Sequence, residues 1–254
     1  MRVGFLYDYL GVNGGAELST AAFMRSAPAG VEIVDCPPGR TIPDCDKYVV
    51  GNCLMYHEWI TRHLQGKPVI KLCYDIWKFY DNGLRTWLLA NAQPIFVTPL
   101  LETRVDWHFA RPARHIPSPI DLTPFEAARN GHERGGAIWL GRLFKSKGLE
   151  NAVQWAATNA IPLDFYGPGV DIPTEHYRGI VPYEDVPATL ARYRYFVFLP
   201  TEFDPCPRTV IEAWAAGCDL VLNGNQGASW WIEHAPDKLR TATADFWKVV
   251  NDAT

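Results

Sequence analysis

The chain's 254 residues, 48% hydrophobic and 20% charged, carry apolar content enough for one large or two small packed domains, which excludes a disordered segment. A net charge of −4 leaves no overall basic footprint and argues against nucleic acid as a general partner, though not against a local basic cleft. The six cysteines, Cys36, Cys45, Cys53, Cys73, Cys206 and Cys218, form no CxxC pair and no zinc-type His/Cys cluster. They read as buried thiols of a protein in a reducing cytoplasm.

The N-terminal MRVGFLYDYLG meets Asp8 too soon for a signal peptide, and no apolar run approaches the roughly 20 residues of a membrane span. Short β-rich runs then alternate with helical patterns. VGFLY (3–7) leads through YLGVNGG into a helix over AELSTAAFMRSA. EIVDC (32–36) and KYVVGN (47–52) follow, the second before a helical 54–64. PVIKLCYD (68–75) precedes a helical 80–91, and PIFVT (94–98) a helical 99–109. After HIPSPIDLTPF (115–125) and the polar AARNGHERGG, the strand AIWLG (137–141) restarts the pattern. A helix from about 147 comes next, then strands at LDFYG (163–167) and YRGIV (177–181). A helix over 183–193, the strand YFVFLP (195–200), a helix opening at 207 and the strand DLVLNG (219–224) complete it.

Apolar strands alternating with helices specify an α/β protein whose parallel sheets are covered on both faces. The polar break near 126–136 divides it into two doubly wound domains, 1–125 and 126–254. Such sheets take their ligands beyond the carboxyl ends of the strands, so the loops directly after strands are where chemistry is expected.

Three of those loops carry unusual residues. GVNGGAE (11–17) holds Gly14 and Gly15, which let backbone approach a ligand in front of a helix that presents unpaired N–H groups. It lacks the GxGxxG spacing, and a plain tight turn has the same composition. GRLFKSKG (141–148) places Gly141, Arg142 and Lys147 after a strand, which suits a diphosphate needing two positive charges; a solvated lysine-rich loop fits too. In DPCPRTVIEAWAAGC (204–218), Pro207 can occupy a first helical turn, leaving the N–H groups of Arg208, Thr209 and Val210 for an anion. Glu212 would repel phosphate but can accept hydrogen bonds from a ribose diol, and Asp204 can do the same for a sugar ring. The competing assignment is an i,i+4 Arg208–Glu212 pair on an exposed face with Asp204 as an N-cap.

In order, the residues GGAE (14–17), IPSPIDLTPF, Gly141-Arg142 with Lys147-Gly148, FYGPG and LPTEFDPCPRTVIEAWAAGCDLVLNGNQG resemble the large retaining glycosyltransferase family 4, also known as the group 1 glycosyl transferases. The likeness is collinear over most of the chain and densest over 137–228. It implies a GT-B fold, with two Rossmann-like doubly wound domains facing a central cleft. The N-terminal domain would take the acceptor and the C-terminal domain the nucleotide sugar. Asp204 and Glu212 occupy the family's two acid positions, so the resemblance assigns the donor sugar hydroxyls to Asp204 and the ribose to Glu212. It gives the diphosphate to Arg142 and Lys147, with Gly14 and Gly15 approaching from the other domain. The loop at Gly167 and the segment containing Val181 would flank the base. The family usually has Glu where Asp204 stands, and Trp214 stands where Met is common. Where the family often has a histidine, this chain has LCYD (72–75), which makes Asp75 the acid nearest the expected cleft.

The resemblance implies a transferase, expected in the cytoplasm, that moves a sugar from a UDP- or GDP-linked donor to an acceptor hydroxyl on a glycan, a lipid or a small molecule, without a further cofactor. Asp75, Asp204, Arg142 and Lys147 are the catalytic candidates. No DxD-like pair follows a strand, since Asp44-Cys-Asp46 precedes the third, so transfer without a metal ion is expected. Two rivals stay open: glycosylation of modified bases in DNA, and a non-catalytic protein that only binds sugar nucleotides. Oligomeric state has no signature in the sequence.

Overall fold

The computed structural model describes residues 1–8, 14–76, 82–129, 134–169 and 176–254. The chain forms two compact units, Met1–Ile120 together with Ala235–Thr254, and Asp121–His234.

The first unit begins with β1 (Arg2–Leu6), α1 (Gly15–Arg25), β2 (Glu32–Cys36) and β3 (Lys47–Val50). A 3-10 turn, Glu58–Ile60, runs into α2 (Thr61–Leu64), and β4 (Val69–Cys73), α3 (Asn82–Asn91), β5 (Gln93–Phe96), α4 (Pro99–Arg104) and β6 (Arg114–His115) follow. The strands pair in parallel in the order β2-β1-β3-β4-β5-β6. β4 is buried along its whole length, including Lys71, as expected of a central strand covered on both faces. Lys71 donates from Nζ to the carbonyls of Gly51 and Leu72, at 2.6 and 2.8 Å, so its charge is solvated by backbone.

The second unit contains α5 (Thr123–Ala128), β7 (Gly135–Leu140), α6 (Leu149–Asn159), β8 (Leu163–Tyr166), α7 (Val186–Leu190), β9 (Tyr193–Phe198), α8 (Arg208–Ala215), β10 (Asp219–Leu222) and α9 (Ala228–His234). Its four strands are also parallel, in the order β10-β9-β7-β8. Trp139, next to the C-terminal residue of β7, is fully buried between Phe165 of β8 and Phe198 of β9, with ring centroids 6.3 Å away on each side.

A last helix, α10 (Lys238–Asp252), packs on the first unit. This corrects the expected division at 125/126, which assigned everything after it to the second domain. The reason is aromatic. Phe246 stacks on Phe23 of α1 at 4.0 Å, and Phe5 of β1 lies 6.3 Å from both Phe246 and Trp247. The Trp247 indole donates to the Phe23 carbonyl at 3.1 Å. Lys47 Nζ donates to the carbonyls of Val250, Asn251 and Ala253, at 2.9, 2.9 and 2.7 Å, a cation where the helix leaves its C-terminal acceptors open.

Two elements are shorter than their patterns. α4 ends at Arg104 rather than 109, because extended chain beyond it brings both Trp107 and Phe109 against Phe96, at 6.3 and 6.0 Å. The expected strand over 177–181 reduces to a bridge between Tyr177 and Phe165, since Gly179 turns to φ +94° and Pro182 follows. Among the described residues, no helix is long and apolar enough to cross a membrane. The six cysteines are free thiols, and all but Cys206 are buried.

Candidate functional site

In the second sheet the connection after β7 runs to β8 on one side and the connection after β9 to β10 on the other, so a ligand site is expected at the carboxyl ends of these two strands. The loops leaving them are 141–148, singled out in the sequence, and 199–207, which overlaps the singled-out stretch 204–218. Their backbones interlock. A Cβ on Gly148, at φ +82°, would lie 1.9 Å from the Leu199 carbonyl oxygen, and Thr201 N donates to Ser146 O at 3.0 Å. Likewise a Cβ on Gly167, at φ +128°, would meet Gly141 O at 1.8 Å, while Gly141 N donates to Tyr166 O at 3.1 Å. Only glycine fits at 148 and 167, and it brings three strand ends together.

On this frame Lys147 Nζ meets Asp204 Oδ2 at 2.6 Å, with side-chain exposures of 35% and 17%. Asp204 is anchored by its own backbone: its N–H donates to Asn225 O at 2.9 Å and its carbonyl accepts from Gly227 N at 3.0 Å. Arg142 is exposed and, among the described residues, forms no ion pair. The expected pair of free cations is therefore one cation held by an acid and one open to solvent. Pro207 is the residue before α8 rather than a member of its first turn, with φ −62° and ψ 114°. Val210 N already donates to Pro207 O at 3.2 Å, so it is not available to an anion. Arg208 and Thr209 occupy the first two helical positions of α8.

Glu212 is 2% exposed, which removes the exposed-face assignment while keeping its partner. Arg208 lies 3.7 Å away, with 10% of its side chain exposed. Closer is Tyr183, whose hydroxyl donates to Glu212 Oε1 at 3.0 Å and accepts from Arg208 Nη2 at 3.1 Å. Burial pushes the Glu212 carboxyl above its ordinary range, against the opposing pull of Arg208 and the Tyr183 hydrogen bond. Burial, then the Glu212 charge, pushes the Tyr183 phenol up to about 12, so it stays protonated and donating. Tyr183 begins the 3-10 turn Tyr183–Asp185, directly after the Val181-Pro182 step. Sequence reasoning assigned that segment to a base but missed the tyrosine; a lone aromatic in a surface turn gives no pattern to find.

In the first unit the order β2-β1-β3 puts the equivalent divergence between β1 and β3. Gly14 is buried and caps α1 without a side chain, and Gly15 opens the helix; Gly11, Val12 and Asn13 of the same turn lie outside the described residues. The acid here is Asp8, 8% exposed, which accepts from Leu54 N and Met55 N at 2.7 and 2.8 Å. Its only sequence signal was position after a first strand. Asp75 follows β4 instead, and accepts from Ile76 N at 2.7 Å.

No protein-family model matches the sequence, and a search of curated proteins finds no match. Solved structures do match. HepE of Anabaena, in complex with UDP and glucose, aligns at TM-score 0.66 and 14% identity, over 99% of this chain and 90% of that one. The sucrose-phosphate synthase of Thermosynechococcus elongatus aligns at 0.69 and 12%, with the same coverages. AviGT4, a glycosyltransferase involved in avilamycin A biosynthesis, aligns at 0.62 and 17%, over 96% and 88%. The fold is GT-B. At these identities the likeness is one of architecture, and the two parallel-sheet units are the two Rossmann-like domains of a GT-B chain. Among the described residues of this GT-B protein, no group of three or more His, Cys, Asp or Glu side chains is arranged to hold a metal ion.

Proposed function

We propose that the chain is a glycosyltransferase of the retaining family 4 kind, moving a hexose from a nucleoside diphosphate sugar to an acceptor hydroxyl. What carries this is that Lys147 of the loop after β7 pairs with Asp204 of the loop after β9, and that α8, which continues the second loop, holds the buried carboxylate of Glu212. A buried acid facing hydroxyl donors, beside cations, suits a ligand that is anionic at one point and hydroxylated at two others. HepE is bound to UDP-glucose in a solved structure, and that likeness makes a UDP-linked donor the first to try.

In this reading Arg142, Lys147 and the start of α8 at Arg208 and Thr209 face the diphosphate. As the anomeric C–O bond breaks, the departing β-phosphate oxygen takes the electron pair, and these donors stabilise the charge it gains. The acceptor oxygen forms the new bond to the anomeric carbon, and its proton passes to the departing phosphate oxygen. Asp204 holds donor sugar hydroxyls, Glu212 the ribose diol, and the backbone at Gly141, Gly167 and Val181 borders the nucleoside. In the first unit, Asp75 is assigned a catalytic role, and Gly14 and Gly15 a part in binding the donor. Two cations and a helix start supply the positive charge, so neither a metal ion nor a cofactor is required. Retention of anomeric configuration and a cytoplasmic setting belong to the same proposal.

A thermal-shift screen over nucleoside diphosphates and their sugars tests it, because a ligand binding only the folded state raises the melting temperature. A shift with at least one diphosphate is expected; none across the uracil and guanine series overturns the proposal. Loss of transfer with EDTA and its return with manganese would overturn the metal-independent mechanism alone.

A further inference from the structure

We infer that Tyr183 is a latch that occupies the ribose position, and that a nucleotide must displace its hydroxyl from Glu212 in order to bind. The inference rests on the proposed role of Glu212 and goes beyond it by naming what stands at that carboxylate beforehand. The Tyr183 hydroxyl donates to Glu212 at 3.0 Å while accepting from Arg208 at 3.1 Å. A ribose hydroxyl would make the same two contacts, since it too donates to a carboxylate and accepts from a guanidinium.

Burial explains why something must stand there. Glu212 is 2% exposed among Val210, Ile211 and Ala213, all fully buried, and a carboxylate in such surroundings needs a donor. Arg208 alone, at 3.7 Å, is too far for a hydrogen bond. The latch is also built to leave. Tyr183 as a whole is 48% exposed although its hydroxyl reaches a buried acid. Its ring has Phe125 at 6.4 Å as an aromatic neighbour. It is carried on a three-residue 3-10 turn reached through Gly179, at φ +94° with nothing within 4 Å of a Cβ there. A side chain on such a turn can swing out without disturbing the sheet, whereas Glu212 stands on the buried face of α8.

Calorimetry on Tyr183→Phe and Glu212→Gln tests the latch, with UDP and GDP each beside its 2′,3′-dideoxy form. If the hydroxyl competes with the diol, Tyr183→Phe binds the ribonucleotide about 3- to 10-fold more tightly than the unmodified chain, with no such gain for the dideoxy form. Unchanged or weakened ribonucleotide binding in Tyr183→Phe overturns the latch. Glu212→Gln separates this from the reading beneath it. If that variant keeps the full preference for the ribonucleotide, Glu212 does not hold the diol and both fall. If it loses the preference while Tyr183→Phe shows no gain, only the latch falls. A second readout keeps the phenol hydroxyl: 3-fluorotyrosine placed at 183 should shift its fluorine resonance with UDP and not with dideoxy-UDP. Equal shifts, or none with bound UDP, also overturn the latch. Absence of binding by both UDP and GDP to the unmodified chain overturns both readings.

Discussion

Lys147 and Asp204, 2.6 Å apart, give the two proposed diphosphate cations unequal weights. Removing Arg142 takes one exposed charge from the ligand. Removing Lys147 also leaves Asp204 facing the phosphates without its partner. Lys147→Ala should therefore weaken nucleoside diphosphate binding by about 1.5–3 kcal/mol and Arg142→Ala by less, as calorimetry would show. Asp204→Asn has the opposite sign for binding: the diphosphate meets an unopposed lysine and binds several-fold more tightly, while sugar transfer slows through loss of the hydroxyl contact. Weaker diphosphate binding in Asp204→Asn would contradict this arrangement. Glu212 supplies a pH prediction. Its carboxyl is raised by burial, so the folded chain holds that proton more tightly than the unfolded chain, and its contribution to stability falls as pH rises above the ordinary value of 4.5. The stability of Glu212→Gln relative to the unmodified chain should accordingly increase from acidic to neutral pH, read from urea melts at each pH. These residue types were legible in sequence. Their pairing was not, since Lys147 and Asp204 are brought together by two loops 57 positions apart.

Among the elements, the close approach of the β7 and β9 loops turns on Gly148. A methyl group there meets the Leu199 carbonyl at 1.9 Å, and φ is +82°. Gly148→Ala should cost at least ~2 kcal/mol of stability, with both strain and a clash against backbone. Gly179 is the control in the same unit, with φ +94° and nothing within 4 Å. Gly179→Ala should cost only the left-handed strain, about 1–2 kcal/mol. Equal losses in the two, measured by chemical unfolding, would show that loop contact is not what Gly148 provides. The strands were readable because alternation of apolar strands and helices is a local pattern. The segment at 177–181 was misread for a local reason too: its composition is β-like, but Gly179 and Pro182 divert it after a single bridge to β8.

At the scale of the whole molecule, the telling element is α10, which joins the first unit from the far end of the chain. Phe246 is fully buried against Phe23 and near Phe5. Phe246→Ala should destabilise the first unit by about 3–5 kcal/mol. Hydrogen exchange should then speed up in β1 and α1 and stay unchanged in β7 and β9. Acceleration confined to the second unit would place the helix wrongly.

Read by itself, the sequence determined two parallel-sheet α/β units and which acids, cations and glycines the loops after their strands hold. Period and turn chemistry act between neighbours in the chain, so they survive without the fold. Only the tertiary structure decided that α10 belongs to the first unit, that Asp8 stands at that unit's strand divergence, and that Lys147 is held by Asp204. It also put the Tyr183 hydroxyl on Glu212. Each of these is a choice of partner between residues distant in sequence, made by burial and hydrogen bonding once the sheets have formed, and no local pattern encodes it.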